Sequence, residues 1–256
     1  MLILLFIIAF VAYIGYKTLR KCKRIITNYE VMTSSSQLLL AEQHRSFDIQ
    51  KPLKVVCLGN SITQHGYRPD IEWYSDWGMA ASKKENDYCH ILQKKLRQYN
   101  SESRVIPLNI AHFERNPSCN IDSLLNNSCE DADIIVIRLG ENVQNIESFN
   151  DNLQRLVDKC KEYTSQILIS GCFWPNGNIE KVLMNAAVNN NLKFIPLSWI
   201  EKIRNAYPQK GDTIYDTKGN PYILTKNFIL THPNDEGMES IANSIFNAIT
   251  YIDLRN

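Results

Sequence analysis

No two of the seven cysteines stand in a Cys-x-x-Cys pair or at any other metal-like spacing. An odd number cannot all pair, and Cys57 and Cys172 sit in or beside apolar, strand-like runs. The expectation is therefore buried free thiols, as in a reducing compartment, and neither a disulfide framework nor a metal centre. The net charge is only +1, which leaves no basic stripe to neutralise phosphates and argues against a nucleic-acid partner. No glycine-rich turn follows the first apolar strand, where Asn60-Ser61-Ile62-Thr63 offers a single glycine nearby. That disfavours a phosphate-cradling cofactor binder. Internal repeats and low-complexity tracts are absent as well.

Met1 to Tyr16, MLILLFIIAFVAYIGY, carries no charge at all. The run is slightly shorter than the ~20 residues that span a bilayer comfortably. It has neither the basic region before it nor the small-x-small site after it that mark a cleavable signal, so a membrane anchor is preferred over a cleaved leader. Lys17, Arg20, Lys21, Lys23 and Arg24 follow, with no acid before Glu30. The positive-inside rule then puts the remainder of the chain on the cytoplasmic side. The expected organisation is an anchor with its basic flank over residues 1–24, a linker over 25–51, and a globular domain over 52–256. With 44% hydrophobic and 21% charged residues, the 256-residue chain fits one ordinary domain plus an appendage.

From Pro52 onward strands and helices alternate. Strands are expected at Leu53–Leu58, Arg104–Ile110, Asp133–Leu139, Gln166–Ser170 and Lys193–Leu197. Helices are expected at Asp87–Tyr99, Ser148–Tyr163 and Glu180–Asn190, with a last one opening near Asn234, a suitable N-cap. The run DIIVIRL is apolar enough for a central parallel strand covered on both faces. Such alternation implies a parallel sheet sandwiched by helices, and a five-stranded flavodoxin-like sheet is the natural choice. Tyr215 to Tyr222 reads as a short hairpin with a Lys-Gly-Asn turn.

The most informative segment is Val55 to Gly66, VVCLGNSITQHG. It runs an apolar strand into Gly59-Asn60-Ser61 and so sets one hydroxyl at the C-terminal tip of a buried strand, where open α/β sheets hold their ligands. Such a serine is a nucleophile if a histidine reaches it, and otherwise a helix-capping residue. Arg138-Leu139-Gly140-Glu141-Asn142 also ends a strand, and Thr231-His232-Pro233-Asn234 opens the last helix. His232 is the candidate general base, since an imidazole titrates near operating pH. Of the other histidines, His44 lies in the linker and His90 on a helix, while His65 and His112 lie near the candidate site.

Together the three segments resemble the SGNH/GDSL hydrolase family over about residues 52 to 252. Gly59-Asn60-Ser61-Ile62-Thr63 matches the Gly-Asp-Ser-Ile-Thr form, with Asn60 where aspartate is usual. Gly140-Glu141-Asn142 matches Gly-x-Asn-Asp, with Val143 replacing the aspartate, and His232-Pro233-Asn234 matches the block before the last helix. The resemblance implies a three-layer α/β/α sandwich with a five-stranded parallel sheet. It also implies an oxyanion hole built from the Asn142 side chain and the Ser61 backbone N–H. The family's third donor is a glycine N–H in a block that begins at Asn109. Glu114 occupies that glycine's place here, and a small shift would nominate Ala111. Glu114 and Arg115 could instead pair and shape the pocket floor. The triad acid is missing: Ile229 stands three residues before His232, and no carboxylate lies between Lys218 and His232. Asp216 reaches in only if the hairpin folds back. The expectation is a Ser61–His232 dyad whose imidazole is oriented by a backbone carbonyl or by an acid from elsewhere. The family's carbohydrate esterases are often exported, so an exported form stays open.

Trp73-Tyr74-Ser75-Asp76-Trp77-Gly78-Met79-Ala80-Ala81-Ser82 follows the nucleophile turn and resembles a loop found in a carbohydrate-related subgroup of the family. Either it offers its rings to a sugar or it packs onto its own domain. Asn60, Trp73, Trp77 and Trp174 are the candidate substrate contacts. The resulting expectation is a serine esterase that removes a small acyl group, acetyl foremost, from a saccharide, with no metal or organic cofactor. Acyl transfer to a sugar hydroxyl would use the same residues. The alternative from another class is a membrane-tethered saccharide-binding module that keeps the fold without the rate.

Overall fold

Five short apolar strands carry the molecule. The computed structural model describes residues 51–250 except Pro175 and Arg204. The strands are β1 (Lys54–Gly59), β2 (Arg104–Asn109), β3 (Ile134–Ile137), β4 (Ile167–Ser170) and β5 (Lys193–Ile195). All pair in parallel, in the order β2-β1-β3-β4-β5. This is the flavodoxin-like order, and its direction reverses at β1, so the switch point at which such sheets bind ligands falls between the C-terminal ends of β1 and β3. The register brings those ends together: Leu58 pairs with Ile137, and Arg138 N–H donates to the Leu58 carbonyl at 2.8 Å.

The helices are α1 (Tyr88–Arg97), α2 (Ala111–Arg115), α3 (Ile121–Leu125), α4 (Ile146–Lys161), α5 (Gly177–Asn189), α6 (Asn227–Leu230) and α7 (Asp235–Thr250). Several open on an amide or carboxylate that satisfies a free backbone N–H. Asp87 accepts from His90, Asn120 from Ser123, Asn145 from Ser148, and Asn234 from Gly237. Every side chain of β3 is fully buried, as a central strand requires. Side chains alternate along each strand. Val56, Leu58, Ile135, Ile137, Ile167 and Ile169 share one face, which α4 covers with Phe149, Leu153, Leu156, Val157 and Cys160, and α5 with Ile179, Leu183 and Ala187. Helices α1 and α7 pack together, and α7 also contacts β5. Burying each large aliphatic side chain contributes about 1.5–3 kcal/mol, so this double cover is the main source of stability.

Two features were not foreseen as elements: α2 and α3 after β2, and the four-residue α6 before the last helix. Both are too short to carry a periodic apolar signal. The expected hairpin forms as β6 (Thr213–Tyr215) and β7 (Pro221–Ile223). It does not fold back toward His232, because Asp216 is engaged within its own turn by Lys218 N–H, Asn220 N–H and Asn220 Nδ2. The expected anchor lies outside the described residues, as does the linker apart from Lys51. Among the described residues no helix is long and apolar enough to cross a membrane.

Gly59 closes β1 where the chain turns toward Ser61. A Cβ there would lie 1.8 Å from Thr63 Oγ1 and 3.0 Å from the Arg138 carbonyl. Thr63 is buried and bonded to the Tyr88 hydroxyl at 2.7 Å, so it has no room to withdraw. Gly59→Ala is expected to cost about 1–3 kcal/mol through overpacking. The cost would be read as a lower urea midpoint, and an unchanged midpoint would contradict this packing.

Candidate active site

Ser61 follows β1 in a tight turn. The Asn60 carbonyl accepts from Thr63 N–H (2.9 Å) and Gln64 N–H (3.0 Å), and the Asn60 side chain accepts from Ile62 N–H (3.2 Å). Ser61 N–H has no acceptor among the described residues, and the Ser61 carbonyl takes Met79 N–H at 2.8 Å. Ser61 Oγ lies 2.9 Å from His232 Nε2 across 171 residues of chain. On its other side His232 Nδ1 lies 3.1 Å from the Phe228 carbonyl in α6. A carbonyl only accepts, so the neutral imidazole carries its proton on Nδ1 and turns the Nε2 lone pair toward the Ser61 hydroxyl. The structure thus pairs Ser61 with His232 and supplies a backbone carbonyl where an acid was absent from the sequence.

His232 is fully buried. Burial, first of all, pushes its pKa down to about 4, against the Phe228 carbonyl that favours the charged form. The ring is neutral at pH 7 and free to accept a proton. Two aromatic rings enclose it edge-on: Trp174 at 5.2 Å between ring centres and Phe228 at the same 5.2 Å. The Trp174 indole is fixed by a 2.6 Å hydrogen bond to the Thr231 carbonyl. Phe228 is 56% exposed and Trp174 half-buried, so both present ring surface at the mouth of the site.

A second layer lies beneath. The Arg138 guanidinium, wholly buried, donates to Glu141 Oε1 at 2.7 and 2.9 Å and to Asn60 Oδ1 at 3.1 Å. Burial works against its charge, but Glu141 beside it holds its pKa above the ordinary value. Glu141 Oε1 also accepts from Phe173 N–H at 2.9 Å. Asn60 Nδ2 donates to both Glu114 Oε1 (3.1 Å) and Glu141 Oε2 (2.7 Å). Glu114 Oε1 further accepts from Gly140 N–H (2.6 Å) and Asn142 N–H (3.3 Å), and Glu114 Oε2 from Asn142 Nδ2 (2.7 Å). Burial and then Glu141 push the Glu114 pKa up, while the Asn142, Gly140 and Asn60 donors oppose them.

Several sequence expectations change here. Trp73 and Trp77 are not sugar platforms: they are 0% and 4% exposed. Their indole N–H groups donate to the His65 and Ala81 carbonyls, and their rings pack edge-on at 6.2 Å. The loop packs inward because two indoles remove far more apolar surface from water than a turn can leave exposed. Asn60 is no substrate contact either, since it is buried and both its amide hydrogens and its oxygen are engaged. Glu114 lies inside α2, where the Ile110 carbonyl accepts from Phe113 N–H at 2.8 Å, and its carboxylate is a hydrogen-bond acceptor for the Asn60 and Asn142 side chains and the Gly140 and Asn142 N–H groups. Ala111 N–H, the other backbone donor considered, is occupied by Asn109 Oδ1 at 2.9 Å. Arg115 is exposed and does not pair with Glu114. His65 is half-buried against the Gly66 carbonyl, His90 bonds Asp87 at the start of α1, and His112 is exposed.

Sequence reasoning gave no role to Arg138, Glu141 or Phe228. Arg138 did carry a signal: a charged residue ending an otherwise apolar strand, three residues before an acid, needs a buried partner. Phe228 carried none, because its place over His232 depends on α6.

The chain matches no protein-family model, and no curated protein matches it in sequence. Solved structures do match. The acetyl xylan esterase AlAXEase shares 17% identity at a TM-score of 0.52, over 77% of this chain and 100% of its own. Axe2, an acetylxylan esterase from Geobacillus stearothermophilus, shares 14% at a TM-score of 0.52, over 81% and 98%. A two-domain esterase active on acetylated mannans, co-crystallised with mannopentaose, shares 18% at a TM-score of 0.53, over 84% of this chain and 54% of its own. The chain has the fold of these carbohydrate esterases, in keeping with its resemblance to the SGNH/GDSL hydrolases.

The buried histidine has a consequence for stability. Its pKa falls from 6.5 to about 4 on folding, so the unfolded chain binds the proton more readily. The stabilisation is complete above about pH 6.5 and is lost as the pH drops toward 4, by about 3 kcal/mol in all. Urea unfolding between pH 7 and pH 4 is expected to show a shallower decline in His232→Gln than in the parent. Equal slopes would show that His232 titrates normally.

Proposed function

We propose that the protein is a serine esterase that removes a small acyl group, acetyl foremost, from a saccharide. The observation that carries this reading is the 2.9 Å contact between Ser61 Oγ and His232 Nε2 at the crevice between β1 and β3. Ser61 Oγ attacks the ester carbonyl while His232 Nε2 takes its proton. The resulting imidazolium donates from Nδ1 to the Phe228 carbonyl. Asn142 Nδ2, with its second hydrogen, and the free Ser61 N–H stabilise the oxyanion, each such donor being worth about 3 kcal/mol. His232 then returns the proton to the departing sugar alkoxide. Water, deprotonated by the same nitrogen, releases the acid from the acyl-enzyme.

A carbonyl fixes the tautomer as an aspartate would, but it brings no negative charge to stabilise the imidazolium. The enzyme is therefore expected to be slower than one with a full triad while keeping the same order of steps. Trp174 and Phe228 support a sugar substrate, since both offer ring faces beside the base. So do the acetylated xylan and mannan substrates of the proteins that share the fold. Acyl transfer to a second sugar would follow from the same acyl-enzyme in a drier crevice. The apolar run Met1 to Tyr16 and the basic residues after it support tethering to a membrane, with the domain on the cytoplasmic side.

The absent acid at Ile229 favours one rival, a saccharide-binding module without turnover. Hydrolysis of p-nitrophenyl acetate by the full chain separates the two. Ser61→Ala and His232→Ala are each expected to lower kcat by about 10³-fold or more. A parent without activity, or activity that survives both substitutions, would leave the binding module as the better reading.

A further inference from the structure

We infer that Glu114 is the positioning residue of the oxyanion hole, a carboxylate that holds the Asn142 amide in its donating orientation. The inference rests on the reading of Ser61 as nucleophile and Asn142 as oxyanion donor.

Glu114 stands where the resembling family has a glycine, and an acid there, fully buried, needs a reason. Its surroundings give one. All four contacts are donors: Asn60 Nδ2, Gly140 N–H and Asn142 N–H on one oxygen, Asn142 Nδ2 on the other. A carboxylate accepts at both oxygens; a glutamine in its place has one acceptor and one donor. The two backbone contacts fix the loop after β3, where Gly140 holds a φ of +132°. The contact to Asn60 fixes the residue next to Ser61. One side chain thus ties the nucleophile turn to the Asn142 loop.

The bond to Asn142 Nδ2, at 2.7 Å, sets more than distance. A carboxamide has a donor end and an acceptor end of nearly equal size. With one hydrogen of Nδ2 on Glu114, the plane of the amide is fixed and the second hydrogen is left for a ligand. With a donor in place of Glu114 Oε2, the amide turns over to bring Oδ1 against it, and the other edge then faces the crevice. An acceptor aimed at a developing oxyanion repels it. Glu114 therefore acts on the reaction through Asn142, without touching substrate.

A double-mutant cycle on the full chain tests this, with kcat and KM for p-nitrophenyl acetate and fluorophosphonate labelling of Ser61. Asn142→Ala and Glu114→Gln are each expected to lower kcat by about 10²–10³-fold with KM changed less than about threefold, as for loss of one oxyanion donor. The double variant is expected to fall no further than the weaker single variant, because both remove one function. Multiplying effects, or near-parental kcat in Glu114→Gln, would overturn the inference while leaving the esterase reading intact. A parent that neither turns over nor labels would overturn both. If Glu114→Gln alone does not fold, the exchange E114Q/N142D decides. It restores a donor–acceptor pair between the two positions but leaves no side-chain donor at position 142 for the oxyanion. The expected result is a parental melting temperature with kcat still down about 10²-fold, and recovered activity would overturn the inference.

Discussion

Three loops meet at one buried charge cluster, and the candidate site stands on it. Arg138 and Glu141 form an ion pair with side chains 0% and 1% exposed. Such a pair gains little over an apolar one, yet removing either partner strands a charge and costs about 3–5 kcal/mol. Here the pair is also the hub of a network in which Asn60 links it to Glu114, and Glu114 to Asn142. The ends of β1 and β3 and the helix after β2 are thereby locked to one another. Precise placement of a nucleophile and its oxyanion donors needs such support, because hydrophobic packing alone does not orient polar groups.

The histidine end of the site is built differently. His232 is held by backbone, through the Phe228 and Ile229 carbonyls, and by the rings of Trp174 and Phe228. Among the described residues only the Phe228 carbonyl is hydrogen-bonded to Nδ1. The same burial that lowers the His232 pKa keeps the ring neutral above about pH 4, the state that the proposed role of general base requires. On the proposed mechanism the arrangement forgoes a counter-charge for the imidazolium, and with it part of the rate. The carboxylates of the site, Glu114 and Glu141, lie instead beside Asn60 and Asn142, where they accept hydrogen bonds from Asn60, Gly140 and Asn142.

Much of this was legible in the sequence. Apolar runs such as DIIVIRL and helices with a wide apolar face located the strands and helices, because burial follows periodicity directly, while the flavodoxin-like sheet followed from their alternation and from the family resemblance. The pairing of Ser61 with His232 was legible because one sits at a strand end and the other at a helix start that the pattern defines. The tryptophans of the 73–82 loop were not, since a loop carries no period to say which way a ring turns. The side-chain contacts of Glu114 were not legible for a related reason: its position was compared by backbone with a glycine, whereas the four groups that donate to its carboxylate lie in two other loops. The Phe228 carbonyl that faces His232 Nδ1 was one of the options left open by Ile229, but which backbone group would do so is invisible to composition.

The most direct measurement is a crystal structure of the protein after reaction with a fluorophosphonate, which mimics the tetrahedral intermediate. The expected result is phosphorus bonded to Ser61 Oγ, with its phosphonyl oxygen about 2.7–3.1 Å from Asn142 Nδ2 and Ser61 N, and Asn142 still bonded to Glu114. An unmodified Ser61, or a phosphonyl oxygen turned away from Asn142, would contradict the assignment of this site.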